Sequence, residues 1–121
     1  LGVKCLHDKS FDLANHIHLS QWECYRLPQH FTAQQALTAL AAVLQQKGAA
    51  RLIATTQIII APGYIPRVVK ALVTNFHQPQ STLLLLVAAG IGEDWRKVYQ
   101  YALEHHFRFL SYGDSSLLFF N

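Results

Sequence analysis

The sequence contains no methionine and only two cysteines among its 121 residues. A chain that opens on Leu1 and lacks methionine is expected to be an excised piece of a longer one. Cys5 and Cys24 are too few to staple a domain that is 51% hydrophobic. Free thiols of a reducing compartment are therefore expected, rather than a disulfide. The longest apolar run, Leu83 to Ile91, falls far short of the roughly 20 residues that cross a bilayer, which argues against a membrane partner. No charged segment followed by an apolar stretch and small residues opens the chain, so a secretory signal is not expected and a cytoplasmic location is. P-loop, GxGxxG, GxSxG and CxxC patterns are missing as well, which removes the commonest nucleotide, hydrolase and thiol-redox chemistries.

Acidic residues are absent from the whole span between Cys24 and Gly92, which holds Arg26, Lys47, Arg51, Arg67 and Lys70. The acids lie outside it, at Asp8, Asp12 and Glu23 on one side and Glu93, Asp94, Glu104 and Asp114 on the other. A middle free of carboxylates lowers the cost of approach for phosphate or another carboxylate. Five cations, in a chain of net charge +3, do not by themselves establish nucleic-acid binding.

The periodic segments predict an α/β or α+β domain. Trp22 to Leu27 reads as a short strand stopped by Pro28. Thr32 and Gln35 have capping-box spacing, and Ala33, Ala36, Leu37, Leu40, Val43 and Leu44 recur at helical intervals before Gly48. A helix from Ala33 to Lys47 follows. The β-branched stretch "RLIATTQIIIAPG" predicts a strand over Leu52 to Ile60, and "RVVKALVT" another over Val68 to Val73, buried on both faces. Helices are expected over Thr82 to Ile91, apolar all round, and over Asp94 to His105. "FRFLSYGDSSLLFF" predicts a closing hairpin turning at Gly113-Asp114 in a type II′ turn. The expected sheet is mixed and flanked by helices.

"TNFHQPQST", Thr74 to Thr82, places a polar gate before the greasiest helix. A strand ends and a helix begins there, which is where ligands collect in α/β sheets. Ser81 has N-cap character, and the amides of the first helical turn carry about half a positive charge. The gate is thus either an anion site or a plain cap, with Asn75 and His77 satisfying loop backbone. His77 is either an acid–base group or a packing residue. His16 and His18 alternate and can face one metal, yet no third ligand has suitable spacing, so no metal site is expected.

Three stretches in order carry a resemblance: "TTQIIIAPGY" (Thr55 to Tyr64), "ALVTNFHQPQSTLLLLVAA" (Ala71 to Ala89) and "FRFLSYGDSSLL" (Phe107 to Leu118). From about Ala50 onward the chain resembles the C-terminal part of the S-adenosylmethionine:tRNA ribosyltransferase-isomerases of queuosine biosynthesis. The resemblance implies transfer and isomerisation of the ribosyl unit of S-adenosylmethionine, the co-substrate. The acceptor is 7-aminomethyl-7-deazaguanine at the wobble position of tRNA, bound through its anticodon loop, and the product is epoxyqueuosine. It also implies a barrel-like α/β domain carrying an inserted β-barrel. Residues 1–121 would then be a single C-terminal fragment of the larger domain, inactive alone, because the family's upstream Gly-Thr-Thr segment is not in the sequence.

Residue by residue, Thr74, Asn75, Phe76, His77, Pro79, Ser81 and Thr82 match the family, as do Tyr112, Gly113 and Asp114. The implied roles are proton transfer or adenine contact by His77, oriented by Asn75. Asp114 would pair with an amine, and Thr74, Ser81, Thr82, Tyr112 and Gly113 would bind substrate. Gln78 and Gln80 stand where the family usually has Leu and Lys, Pro66 replaces an aromatic residue and Lys70 an acid. The loss of a lysine beside the helix start weakens a direct phosphate contact, and Lys70 is the candidate to restore the charge. Two other readings compete: a non-catalytic RNA-binding module, and a structural module that exposes an interface.

Overall fold

The computed structural model describes residues 1–121. They form two compact units, Leu1–Ile58 and Ile59–Asn121. The class is α/β, with strands in two separate pairs, one parallel and one antiparallel, where a single mixed sheet was expected. No helix is long and apolar enough to cross a membrane.

The first unit holds α1 (Gly2–His7), β1 (Ile17–Leu19), α2 (Glu23–Arg26), α3 (Ala33–Gln46) and β2 (Ala54–Thr56). α3 follows the local code. Thr32 and Gln35 close a complete capping box, each side chain accepting from the other residue's backbone amide. At the far end Gly48 adopts φ +59, the amide of Ala49 reaches back to the Leu44 carbonyl at 2.9 Å and that of Gly48 to Gln45 at 3.1 Å. These are the two bonds of a Schellman stop. α1, which sequence patterning does not reveal, lies against α3. A Cβ at Gly2 would come within 2.3 Å of the Ala36 carbonyl oxygen, so glycine permits this approach.

The strand expected over Trp22 to Leu27 is instead the single helical turn α2. Glu23, the first residue of α2, anchors the turn: its carboxylate accepts from the Ser20 amide at 2.8 Å and from Lys4 Nζ at 2.6 Å. Lys4 Nζ also donates to the His18 carbonyl at 2.7 Å, tying α1 to β1. The strand expected over Leu52 to Ile60 pairs only at Ala54–Thr56, because β1 offers three residues. The Thr56 hydroxyl then accepts from the Ile58 amide at 3.1 Å and ends the ladder. Both cysteines are free thiols.

The second unit holds β3 (Ala71–Asn75), α4 (Thr82–Ile91), α5 (Asp94–Glu104) and β4 (Ser115–Phe119). Pro62-Gly63 forms a tight turn in which Gly63 takes φ +102 and the Tyr64 amide donates to the Ala61 carbonyl at 3.0 Å. β3 lies three residues beyond the start expected for it, and only one of its faces is covered: Val73 is 70% exposed. The expected closing hairpin does not form. Phe107 to Ser111 is not a strand, and β4 pairs antiparallel with β3, Val73 opposite Leu117. No positive φ occurs at Gly113, so there is no type II′ turn. Glycine is required there by proximity, since a Cβ would meet the Arg108 carbonyl oxygen at 2.3 Å.

α4 begins and ends where its sequence predicts, but it is not buried all round. Val87, Gly90 and Ile91 face inward while Leu83 and Leu85 remain exposed. Val87, Ile91 and Leu118 make the core, with Leu84, Trp95, Val98, Tyr99 and Phe120 packed around it. Beside it Phe76, 3% exposed, touches the rings of Tyr99, Phe107 and Phe109 at centroid distances of 5.3, 5.5 and 5.6 Å. α5 ends in a second Schellman pair, Phe107 to Ala102 and His106 to Leu103, with His106 at φ +56 in the left-handed position.

Candidate functional site

Phe76 is the anchor from which the polar gate is built. Its buried ring fixes the backbone where β3 ends, its carbonyl accepts from the Leu110 amide at 2.9 Å and its amide reaches the Asp114 carbonyl at 3.4 Å. Residues 74–77 and the loop 110–114 are therefore held together. The next residue, His77, is fixed twice: its amide donates to the Tyr99 hydroxyl at 3.0 Å, and its imidazole Nε2 meets Thr74 Oγ1 at 2.8 Å. Thr74 thus holds the ring through Nε2 and leaves Nδ1 as the other polar atom of the imidazole.

Asn75, expected to orient His77, does something else. Its amide nitrogen donates to the carbonyls of Leu110, Ser111 and Gly113 at 3.1, 3.4 and 3.4 Å. It shapes the loop, and Thr74 orients the histidine. The Thr-x-x-His spacing is visible in the sequence, whereas nothing local points to Tyr99, which lies 22 residues away on α5.

Ser81 is the N-cap of α4, as its position suggests: its backbone is extended and its hydroxyl accepts from the Leu83 amide at 3.2 Å. Gln80, immediately before it, is held at φ +65, a left-handed conformation that a non-glycine residue adopts at a cost. Leu110 shares that strain at φ +72. Thr74, Asn75, His77, Ser81, Leu110 and Ser111 line one cavity of about 390 Å³. Gln78 and Leu83 complete its wall, so no charged side chain enters it. The helix start and the imidazole therefore share an open space, and any attraction for an anion comes from backbone amides rather than from lysine or arginine. Lys70 does not reach this cavity's wall.

The other matching residues lie outside it. Thr82, in the first turn of α4, is exposed and does not line the cavity. Tyr112 is 98% exposed. Gly113 contributes its carbonyl to Asn75. Asp114, expected to receive a substrate amine, is already engaged: its carboxylate accepts from the Arg108 amide at 2.7 Å and from the Arg108 guanidinium at 3.3 Å. These bonds, the backbone one first, hold its carboxyl below the usual carboxylate range. A second cavity of about 390 Å³, more apolar, opens on the other side of Ser81 between Pro62, Leu84, Trp95 and Arg96.

In the first unit His16 Nε2 and His18 Nδ1 converge on one partner, the Thr55 hydroxyl, at 3.0 and 2.8 Å. The two rings stack 6.2 Å apart. No group of three or more His, Cys, Asp or Glu side chains stands close enough together to hold a metal ion.

The family model described as queuosine biosynthesis protein matches residues 24–118, a longer match than the motifs from Ala50 onward suggest. The S-adenosylmethionine:tRNA ribosyltransferase-isomerase of Paraburkholderia phytofirmans is 41% identical over 129 residues, covering 88% of this chain and 36% of that protein. Its counterpart in Burkholderia lata is 50% identical over 90 residues, covering 72% of this chain and 25% of that protein. The crystal structure of S-adenosylmethionine tRNA ribosyltransferase from Thermotoga maritima is similar over 69% of this chain and 38% of that one. Its TM-score is 0.50 and its sequence identity 31%. The chain thus spans about a third of the length of the curated relatives it matches. Over most of its length, including every residue of the cavity at the start of α4, it belongs to the family of queuosine biosynthesis proteins.

Proposed function

We propose that this chain is the C-terminal portion of a cytoplasmic S-adenosylmethionine:tRNA ribosyltransferase-isomerase, and that the cavity at the start of α4 is its contribution to the active site. The single observation that carries this reading is the meeting of His77 with the first turn of α4 in one open cavity inside the family-matched region. The reaction moves the ribosyl unit of S-adenosylmethionine onto the aminomethyl group of a 7-deazaguanine at the tRNA wobble position, with release of adenine and methionine. It requires a base for the proton made acidic by the neighbouring sulfonium and an acid for departing adenine. His77, fixed on Thr74 and Tyr99, serves one of these proton transfers through Nδ1. The amides capped by Ser81 receive a carboxylate or phosphate of the substrates. Asn75, Gly113 and Asp114 hold the loop that walls the cavity, and exposed Thr82 and Tyr112 stand where an anticodon loop can reach them. The 121 residues alone are inactive, because one cavity with one imidazole supplies neither the second proton-transfer group nor a binding surface for a whole tRNA.

The test is a chimaera of the Paraburkholderia phytofirmans enzyme whose matching third is replaced by this chain. His77→Ala is expected to lower kcat/KM by roughly 10²-fold or more, the ordinary contribution of a general acid or base. Turnover equal to the parent chimaera would overturn the assignment. A second reading, an RNA-docking module without chemistry, is favoured by the carboxylate-free span from Cys24 to Gly92. It predicts RNA binding by the chain that weakens steeply with salt and is indifferent to His77→Ala.

A further inference from the structure

The resemblance gives Thr74 to substrate binding, but its hydroxyl is already committed: Oγ1 lies 2.8 Å from Nε2 of His77. The surroundings of Thr74 fix the direction of that bond. Its backbone sits in the β3–β4 ladder opposite Ser116, whose hydroxyl donates to the Thr74 carbonyl at 3.2 Å. Side chains alternate along a strand, so Thr74 shares the covered face of β3 with Leu72 while Val73 takes the bare one. A β-branched side chain is stiff at χ1, which leaves the hydroxyl little freedom to turn elsewhere. The main chain of His77 is held separately, by its amide on the Tyr99 hydroxyl. What Thr74 fixes is the ring.

We propose that Thr74 is a positioning residue for the reaction, and that its hydroxyl accepts from Nε2–H of His77 and so fixes both the orientation and the tautomer of the ring. The inference rests on the reading of His77 as a proton-transfer group acting through Nδ1. Such a group carries the transferred proton at one step and lacks it at another. A neutral imidazole has one N–H, so a bare Nδ1 requires the hydrogen on Nε2, and the charged ring has hydrogens on both. Nε2 therefore donates in both states, and a partner that accepts there survives the whole cycle. The hydroxyl of Thr74 is that partner, and it sets which nitrogen is left for the substrate. The cavity wall holds no charged side chain, so no ion pair competes for the ring. Without the hydroxyl, the main chain of His77 stays on Tyr99 while the imidazole can turn about its side-chain bonds. The loss then falls on the chemical step rather than on substrate affinity.

The chimaera described above tests this through a double-mutant cycle. Thr74→Val keeps the shape and strand preference of threonine and removes only the hydroxyl. It should lower kcat about three- to tenfold, the ordinary worth of one hydrogen bond, and leave KM within about twofold. On a His77→Ala background the same substitution should change kcat by less than about 1.5-fold, because Thr74 acts only through the ring. Thr74→Ser should recover most of the valine loss, although serine suits a strand less well and unfolds more easily. A merely structural threonine gives the opposite order. Equal losses from Thr74→Val in both backgrounds overturn the proposal, as does a rise in KM in place of the fall in kcat, or a serine variant no better than valine. A His77→Ala chimaera that turns over like the parent removes the reading beneath it. A crippled His77→Ala beside a parental Thr74→Val rejects Thr74 alone. Should the valine variant lose its circular-dichroism signature, spectra of isotope-labelled histidine in the unsubstituted chimaera still decide, with the His77 signals assigned by their loss in His77→Ala. The neutral ring should carry its hydrogen on Nε2, and a hydrogen found on Nδ1 overturns the stated bond.

Discussion

Replacing Phe76 by leucine should damage the stability of the second unit and the geometry of its cavity together. Phe76 is 3% exposed and shares ring contacts with Tyr99, Phe107 and Phe109. Full truncation of such a side chain costs about 3–5 kcal/mol, comparable to the whole stability of a unit of this size. Leucine keeps part of the burial and loses the edge-to-face contacts, each worth about 0.5–1.5 kcal/mol. A net loss of about 2 kcal/mol follows. With a urea dependence of about 1–3 kcal/mol per molar, the unfolding midpoint falls by about 1 M. Trp95 packs against the core of this unit, while Trp22 lies in the other, so a Trp22→Phe background lets fluorescence report the second unit by itself. The same substitution frees the backbone before His77, so the amide of His77, now bonded to Tyr99, should exchange with solvent at least tenfold faster. A midpoint shift below about 0.3 M with unchanged exchange would refute the view that this ring anchors the gate.

Other outcomes follow from local bonds. Thr32→Ala removes the hydroxyl that accepts from the Gln35 amide, and should cost about 1 kcal/mol, read as a lower thermal midpoint in a melt followed by helical circular dichroism. Acid should destabilise the fold in a defined window. Asp8, Asp12, Glu23 and Asp114 are all held below their ordinary values, by the Ser10 hydroxyl, the Ala14 amide, Lys4 and the Arg108 amide respectively. The unfolded chain therefore takes up protons first as pH falls, so their stabilisation is complete above about pH 5 and drains away below about pH 4. An acid titration monitored by circular dichroism checks this, and Glu23→Gln should flatten its upper part.

What was legible in the sequence was local. α3, α4 and α5 were readable within a residue at either end, because caps and stops are chemistry between residues a few positions apart: Thr32 with Gln35, Gly48 after Gln46, Ser81 before Leu83. The one local signal that went unread is Ser20 with Glu23, whose amide-to-carboxylate bond folds the chain back at the start of α2. The gate was legible for the same reason, since Ser81 and the Thr74–His77 pair lie within nine positions of one another.

Strands were not legible in this way. The β-branched runs announce extended backbone and burial, but a strand is completed by a partner that only the folded chain supplies. Ala54–Thr56 is limited by the three residues of β1, and β4 turns away from Phe107–Ser111 to pair with β3 some 40 residues earlier, Thr74 opposite Ser116. The loop left behind then brings Leu110 and Ser111 to the cavity and Arg108 to Asp114. Local sequence thus settled α3, α4 and α5, the caps of α3 and α4, the family and the polar character of the gate. Tertiary structure decided which strands pair, that Thr74 and Tyr99 hold His77, and that Asp114 is spent on Arg108. The physical reason is range: capping bonds close over a few residues and are written in their spacing, whereas ladders and buried rings join segments whose meeting depends on every other contact in the unit.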